Sequence, residues 1–176
     1  MTGIRDLGPT DGELLLGTTS EGPMARMGHA LRILVQDWTA TLELGEEPMS
    51  CSLRASANLT SLRALDGHGG ASPLTEEGLR KIEKNAEKIL DSRTHPEVSF
   101  VSTGVSGTWE AGLLDGELTI RDVTRPQRFD VSRTPQGTYR LTGMIAQSRF
   151  GIKPYSAMMG ALRLGDDISV EVTVSL

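Results

Sequence analysis

Apolar and polar residues alternate along most of this chain, and the alternation predicts β-strands joined by short turns. The closing stretch is the clearest: Ile168, Val170, Val172 and Val174 fall on one face and Ser169, Glu171, Thr173 and Ser175 on the other. That two-residue period belongs to a strand with one dry face. Residues 28–44 behave similarly, with Leu31, Ile33 and Val35 opposite Ala30, Arg32, Leu34, Gln36 and Trp38, and a bend at Asp37-Trp38 dividing two strands. After a Glu46-Glu47-Pro48 turn, Met49, Cys51, Leu53, Ala55 and Ala57 alternate with serines, Arg54 and Asn58. Leu14-Leu15-Leu16, bounded by Gly12 and Gly17, reads as a strand covered on both faces. Val98 with Phe100, Leu118 with Ile120, Phe129 with Val131, and Tyr139 through Ile145 supply further strands. Turns are predicted at Asp115-Gly116, Thr124-Arg125-Pro126 and Gln136-Gly137.

One helix interrupts this pattern. Asp66-Gly67-His68-Gly69-Gly70 reads as a flexible loop leading to it. Thr75 is placed to cap the N-terminus, Glu76 and Glu77 suit the first-turn dipole, and Leu79, Ile82, Ala86, Ile89 and Leu90 share one face. His95-Pro96 closes the helical region, because a residue before proline is pushed out of the α basin.

Turns this short exclude parallel crossovers, which need a dozen residues or more. The expected fold is therefore all-β: about eight antiparallel strands closed into a lipocalin-like barrel, with one α-helix inserted mid-chain. Residues 1–12 show no periodicity and are read as a flexible leader, and residues 13–176 as a single barrel domain. With only seven Phe, Trp and Tyr in total, the inward positions are mostly aliphatic or small. An incompletely filled apolar lumen and a collapsed core both fit that pattern.

Composition narrows the function. The 176 residues are 38% hydrophobic and 23% charged, which is globular, and the net charge of −5 opposes a nucleic-acid partner. Cys51 is the only cysteine, so neither an internal disulfide nor a cysteine zinc cluster can form. No apolar run approaches the ~20 residues of a membrane-spanning helix, and the first residues lack a secretory apolar stretch. A cytoplasmic location without stable membrane insertion is expected.

Four stretches carry a resemblance. Gln147-Ser148-Arg149-Phe150-Gly151-Ile152-Lys153-Pro154-Tyr155, followed by Gly165-Asp166-Asp167-Ile168 and the last strand, resembles the C-terminal signature of the YceI-like family. The helix end and His95-Pro96-Glu97-Val98-Ser99-Phe100, the Gly116-Glu117-Leu118-Thr119-Ile120 segment with Val123-Thr124-Arg125-Pro126, and Gly28-His29-Ala30-Leu31 are similar to three further family stretches, in family order. The resemblance implies a lipocalin-like barrel whose apolar tunnel binds a long isoprenoid or related lipid, without an established catalytic residue. Many relatives are periplasmic and carry a signal peptide, so transport across a periplasm is not carried over.

The candidate tunnel residues are Leu31, Ile33, Phe100, Leu118, Ile120, Phe129, Phe150 and Ile152, although core packing explains any one of them as well. Gly28 and His29 mark a mouth where the imidazole can meet a polar headgroup. Arg149, Lys153 and Tyr155 can hold such a head, and they fit a solvated loop equally well. His29, His68 and His95 have no metal-ligand spacing and no G-x-S-x-G is present, so no catalytic residue, metal or cofactor is assigned. The expected function is non-catalytic binding or carriage of an isoprenoid or other long apolar molecule. Two alternatives stay open: an enzyme using His29 or a lumen acid as base, and a filled barrel serving as an interaction module, with a homodimer formed over an open edge.

Overall fold

The predicted alternation becomes a set of antiparallel ladders in the computed structural model, which describes residues 2–176. Its strands are β1 (Gly3–Leu7), β2 (Gly12–Gly17), β3 (Ser20–Glu21), β4 (His29–Val35), β5 (Trp38–Leu44), β6 (Ser52–Asn58) and β7 (Leu62–Gly69). Helix α1 (Glu76–Leu90) precedes β8 (Glu97–Gly107), β9 (Ala111–Ile120), β10 (Val123–Arg133), β11 (Tyr139–Ala146), β12 (Ser156–Ala157), β13 (Leu162–Leu164) and β14 (Asp167–Val174). The main sheet has eleven strands in the order β1, β5, β6, β8, β9, β10, β11, β14, β2, β4, β7, and β12, β13 and β3 form a small second sheet. The count exceeds the expected eight.

Connectivity forces this sheet to curl. β4 and β5 stand eight places apart in the order, yet only Gln36 and Asp37 join them. Eight inter-strand steps in a flat sheet would span about 38 Å, whereas that link can bridge only about 11 Å. β1 and β2 are likewise eight places apart and joined by residues 8–11. The sheet therefore wraps until its ends meet. Gln36 N donates to Ser61 O at 3.2 Å and Asn58 N to Asp37 O at 2.9 Å, fastening one end of the seam.

The rest of the seam is covered by α1. Thr75 caps it as expected, its Oγ1 accepting from Gly78 N at 3.1 Å, and Asp91 ends it in the left-handed conformation at φ 49°. The helix thus stops at Leu90, before His95-Pro96. It lies against edge strand β7, where Glu83 Oε1 accepts the Ala64 amide at 2.9 Å and supplies a partner that the missing strand would otherwise have given.

Several local readings are corrected. Residues 3–7 are not a leader outside the barrel: they form β1, paired with β5 from Gly3 opposite Leu44 to Leu7 opposite Ala40. Only Leu7 is buried there, so backbone pairing rather than hydropathy makes the strand. Asp66 to Gly69 is not a loop but the end of β7, paired to β4 across a register shift at Arg32/Ile33. Gly67 is needed for close approach, since a Cβ there would lie 2.6 Å from Leu74 Cδ1. Gly116 is inside β9 and likewise lets Phe100 lie on the backbone, a Cβ meeting its Cζ at 2.3 Å. The hairpin turn falls instead at Arg121 and Asp122, both at positive φ (51° and 64°), between Ile120 and its partner Val123. Pro126 is tolerated inside β10 because β11 pairs with β10 only from Asp130 onward. Pro48–Ser50 is a single 3-10 turn, so β6 starts at Ser52 rather than Met49.

Among the described residues, no helix is long and apolar enough to cross a membrane.

Candidate ligand cavity

Inward residues of neighbouring strands stack into rows around the barrel. One row runs through the registers Leu7–Ala40, Ala40–Ala55, Ala55–Phe100 and Phe100–Leu118. Its two adjacent alanines leave the interior unfilled where leucines would close it. On the far wall Phe100 and Phe129 meet edge to face, centroids 5.3 Å apart, each ring pressed against a glycine. Gly143 plays for Phe129 the part Gly116 plays for Phe100, because a Cβ there would come within 2.5 Å of the ring.

The result is a cavity of about 680 Å³. It lies between two packed clusters, one centred on Phe100, Leu118, Phe129 and Phe150 and the other on Leu7, Trp38 and Ala40. Many inward aliphatics, including Leu14, Leu42, Val98 and Val172, line it and remain half-buried, as side chains facing a hollow do. The lining runs from Met27, His29, Tyr155 and Arg163 at one end to Pro48, Cys51, Trp109 and Leu176 at the other.

Of the thirteen sequence-derived site residues, ten line this cavity: Gly28, His29, Leu31, Ile33, Phe100, Leu118, Ile120, Phe129, Ile152 and Tyr155. Three do not. The Gln147–Phe150 3-10 turn breaks strand parity, so Phe150 is driven into the core at 1% exposure and Arg149 turns outward, donating to Pro126 O at 3.2 Å. Lys153 is exposed on the loop that follows. Lining residues not among those thirteen include Trp38, which alternation set opposite Leu31, Ile33 and Val35, and Ile82, Ala86 and Ile89 on the helix. The bend at Asp37 reverses Trp38, and the helical face, legible as apolar, meets the hollow across the seam.

Polar groups in the lining are largely occupied by the fold. Thr18 Oγ1 accepts from Leu31 N at 3.1 Å, and Gln147 Nε2 donates to Gly165 O at 3.2 Å. His29 Nε2 donates to Ser72 O at 2.7 Å, with Gly70 leaving room for the ring. No Asp or Glu lines the cavity among the described residues. Nor, among them, do any three His, Cys, Asp or Glu side chains gather closely enough to hold a metal.

A curled antiparallel sheet with one helix, enclosing an oily hollow, defines a lipocalin-like barrel. Residues 22–176 match the YceI-like domain, and the chain belongs to that family. UPF0312 proteins of Pseudomonas putida strains W619 and GB-1 are each 34% identical over 93 residues, 47% of this chain and 47% of theirs. The match thus spans about half the length of those relatives. Among solved structures, BcnA of Burkholderia cenocepacia superposes with a TM-score of 0.64 at 13% identity, covering 92% of this chain and 94% of that one. The YCEI protein of Campylobacter jejuni gives 0.59 at 16% identity, with 81% of each chain covered. These two likenesses concern the fold.

Proposed function

We propose that the barrel binds and carries a long apolar molecule, an isoprenoid, in its lumen and performs no chemistry on it. The observation that carries this reading is the cavity itself: about 680 Å³, aliphatic and aromatic over nearly all its wall. At ~30 Å³ for a water-sized group, it holds roughly twenty methylene-sized units. Each methylene removed from water contributes ~0.8 kcal/mol, so even half that number supplies the equivalent of micromolar binding before ordering costs are subtracted. The polar end of the ligand is assigned to the end of the lining that holds His29, Tyr155 and Arg163.

A lining without carboxylates, whose histidine is held by a backbone carbonyl, favours binding over acid–base catalysis. The carrier is taken as cytoplasmic, consistent with a lone cysteine that no disulfide partner matches. Organic extraction of the purified protein followed by mass spectrometry tests the function. A stoichiometric prenyl lipid, or saturable uptake of an added prenyl alcohol, is expected. Absence of both overturns the reading.

A further inference from the structure

One end of the barrel carries a surface that the cavity does not explain. Residues 20–28 and 153–165 form a cover over it, held together by the pairing of β13 with β3 and β12 and by Met24 N donating to Ala161 O at 2.9 Å. These 22 residues contain four of the protein's seven methionines: Met24, Met27, Met158 and Met159. All four are exposed, Met24 and Met27 at 38%, Met158 at 50% and Met159 at 106%. Unbranched thioether side chains adapt to irregular apolar surroundings, and clustered exposure of this kind marks an interaction surface rather than a solvated one.

The backbone is bent to produce this exposure. Met158 and Met159 both take positive φ, 51° and 56°, followed by Gly160 at 91°. Left-handed conformations are unfavourable for residues with a Cβ, and two in succession make a sharp bend at the two most exposed methionines of the cover.

Charge identifies what the surface meets. The cover holds Arg26, Lys153 and Arg163, all exposed, against a single acid, Glu21, which is the register partner of Arg163. Its formal charge is therefore +2 (three cations, one anion), while the whole chain is −5. A cationic, methionine-bearing face on an otherwise acidic protein is complementary to a surface that is anionic and apolar just beneath. Met27 and Arg163 also line the cavity, so the face adjoins its end.

We infer that this cover docks on the surface of an anionic lipid bilayer, the methionines entering the interfacial region and the cations meeting lipid headgroups, so that the cavity mouth opens onto the lipid. The bilayer is contacted, not crossed. The role of the mouth rests on the carrier reading, whereas docking itself does not.

Sedimentation with vesicles of phosphatidylcholine containing 30% phosphatidylglycerol, against phosphatidylcholine alone, tests it. The native chain is expected to bind the anionic vesicles and to release as salt rises. Met158→Ser/Met159→Ser is expected to weaken binding about tenfold, and Lys153→Gln about fivefold. In parallel, uptake of a water-dispersed prenyl fluorophore without vesicles reports on the cavity and is expected to be unchanged in both variants. Intact uptake with no vesicle binding, or binding indifferent to the double substitution, overturns docking alone. Loss of uptake with vesicle binding retained overturns the carrier reading instead. A native dimer that the double substitution converts to monomer assigns the face to a second copy of the chain and also overturns docking on lipid.

Discussion

Replacing Ala55 by Phe separates a hollow barrel from a filled one. Ala55 lies on β6 between Ala40 and Phe100 in register, is half-buried and faces the cavity. The substitution adds about six carbons to the wall, enough to displace roughly four methylenes of a bound chain. At ~0.8 kcal/mol each, the loss is about 3 kcal/mol, or roughly 200-fold in Kd. Ala55 packs against both clusters and also faces the cavity, so a ring directed into the hollow is expected to leave stability level or raise it. In a solid core the same change would cost about 1–3 kcal/mol. Both quantities are measurable on one sample, the first by titrating a prenyl alcohol and the second by urea unfolding. Trp38 and Trp109, the protein's two tryptophans, both line the cavity and report binding through their fluorescence. A drop in stability above 1 kcal/mol with affinity unchanged would refute the hollow.

Other outcomes follow from the same geometry. Gly116→Ala places a methyl against the Phe100 ring and the Val101 carbonyl, and should lower unfolding free energy by about 1–3 kcal/mol in urea. Thr75→Ala removes the cap on α1 at a loss of about 1 kcal/mol, with amide exchange accelerating first in the opening helical turn. Asp115 accepts hydrogen bonds from Arg128 at 2.7 and 3.1 Å; these bonds hold its carboxyl below the ordinary aspartate value, burial opposes them, and the guanidinium charge adds a smaller lowering. That pair supports folding above the ordinary aspartate range and ceases to as pH falls through the lowered folded value. In Arg128→Gln the Asp115 carboxyl, followed by NMR, should titrate at higher pH, and an unmoved midpoint would show the ion pair to be incidental.

Strands with one face against the interior were legible because burial imposes the period-two pattern, as in β4, β5 and β14. β1 was not, since four of its five residues are exposed and its partner is chosen by backbone bonds. Glycine was the main source of wrong turns: at Gly67 and Gly116 it makes room for a neighbour's side chain, whereas the real hairpin at Arg121-Asp122 contains none. The cavity was legible in part. Alternation named Leu31, Ile33, Phe100, Leu118, Ile120 and Phe129 correctly as inward, but a residue in the Gln147–Phe150 turn follows no parity. Whether inward means against a neighbour or against a void depends on rows such as Leu7, Ala40, Ala55 and Phe100, whose members lie far apart in the chain and become adjacent only through register.

The order of the main sheet also constrains birth on the ribosome. β2 sits between β14 and β4, so a segment translated among the first twenty residues waits for one of its two neighbours until residues 167–174 have emerged. Hairpins β8 to β11 can assemble as they appear, while the Leu14-Leu15-Leu16 segment stays half-paired throughout. A nascent or prematurely terminated polypeptide therefore displays bare margins on β2 and β11 together, a pairing template that invites aggregation and makes chaperone attendance during synthesis the natural companion of this topology.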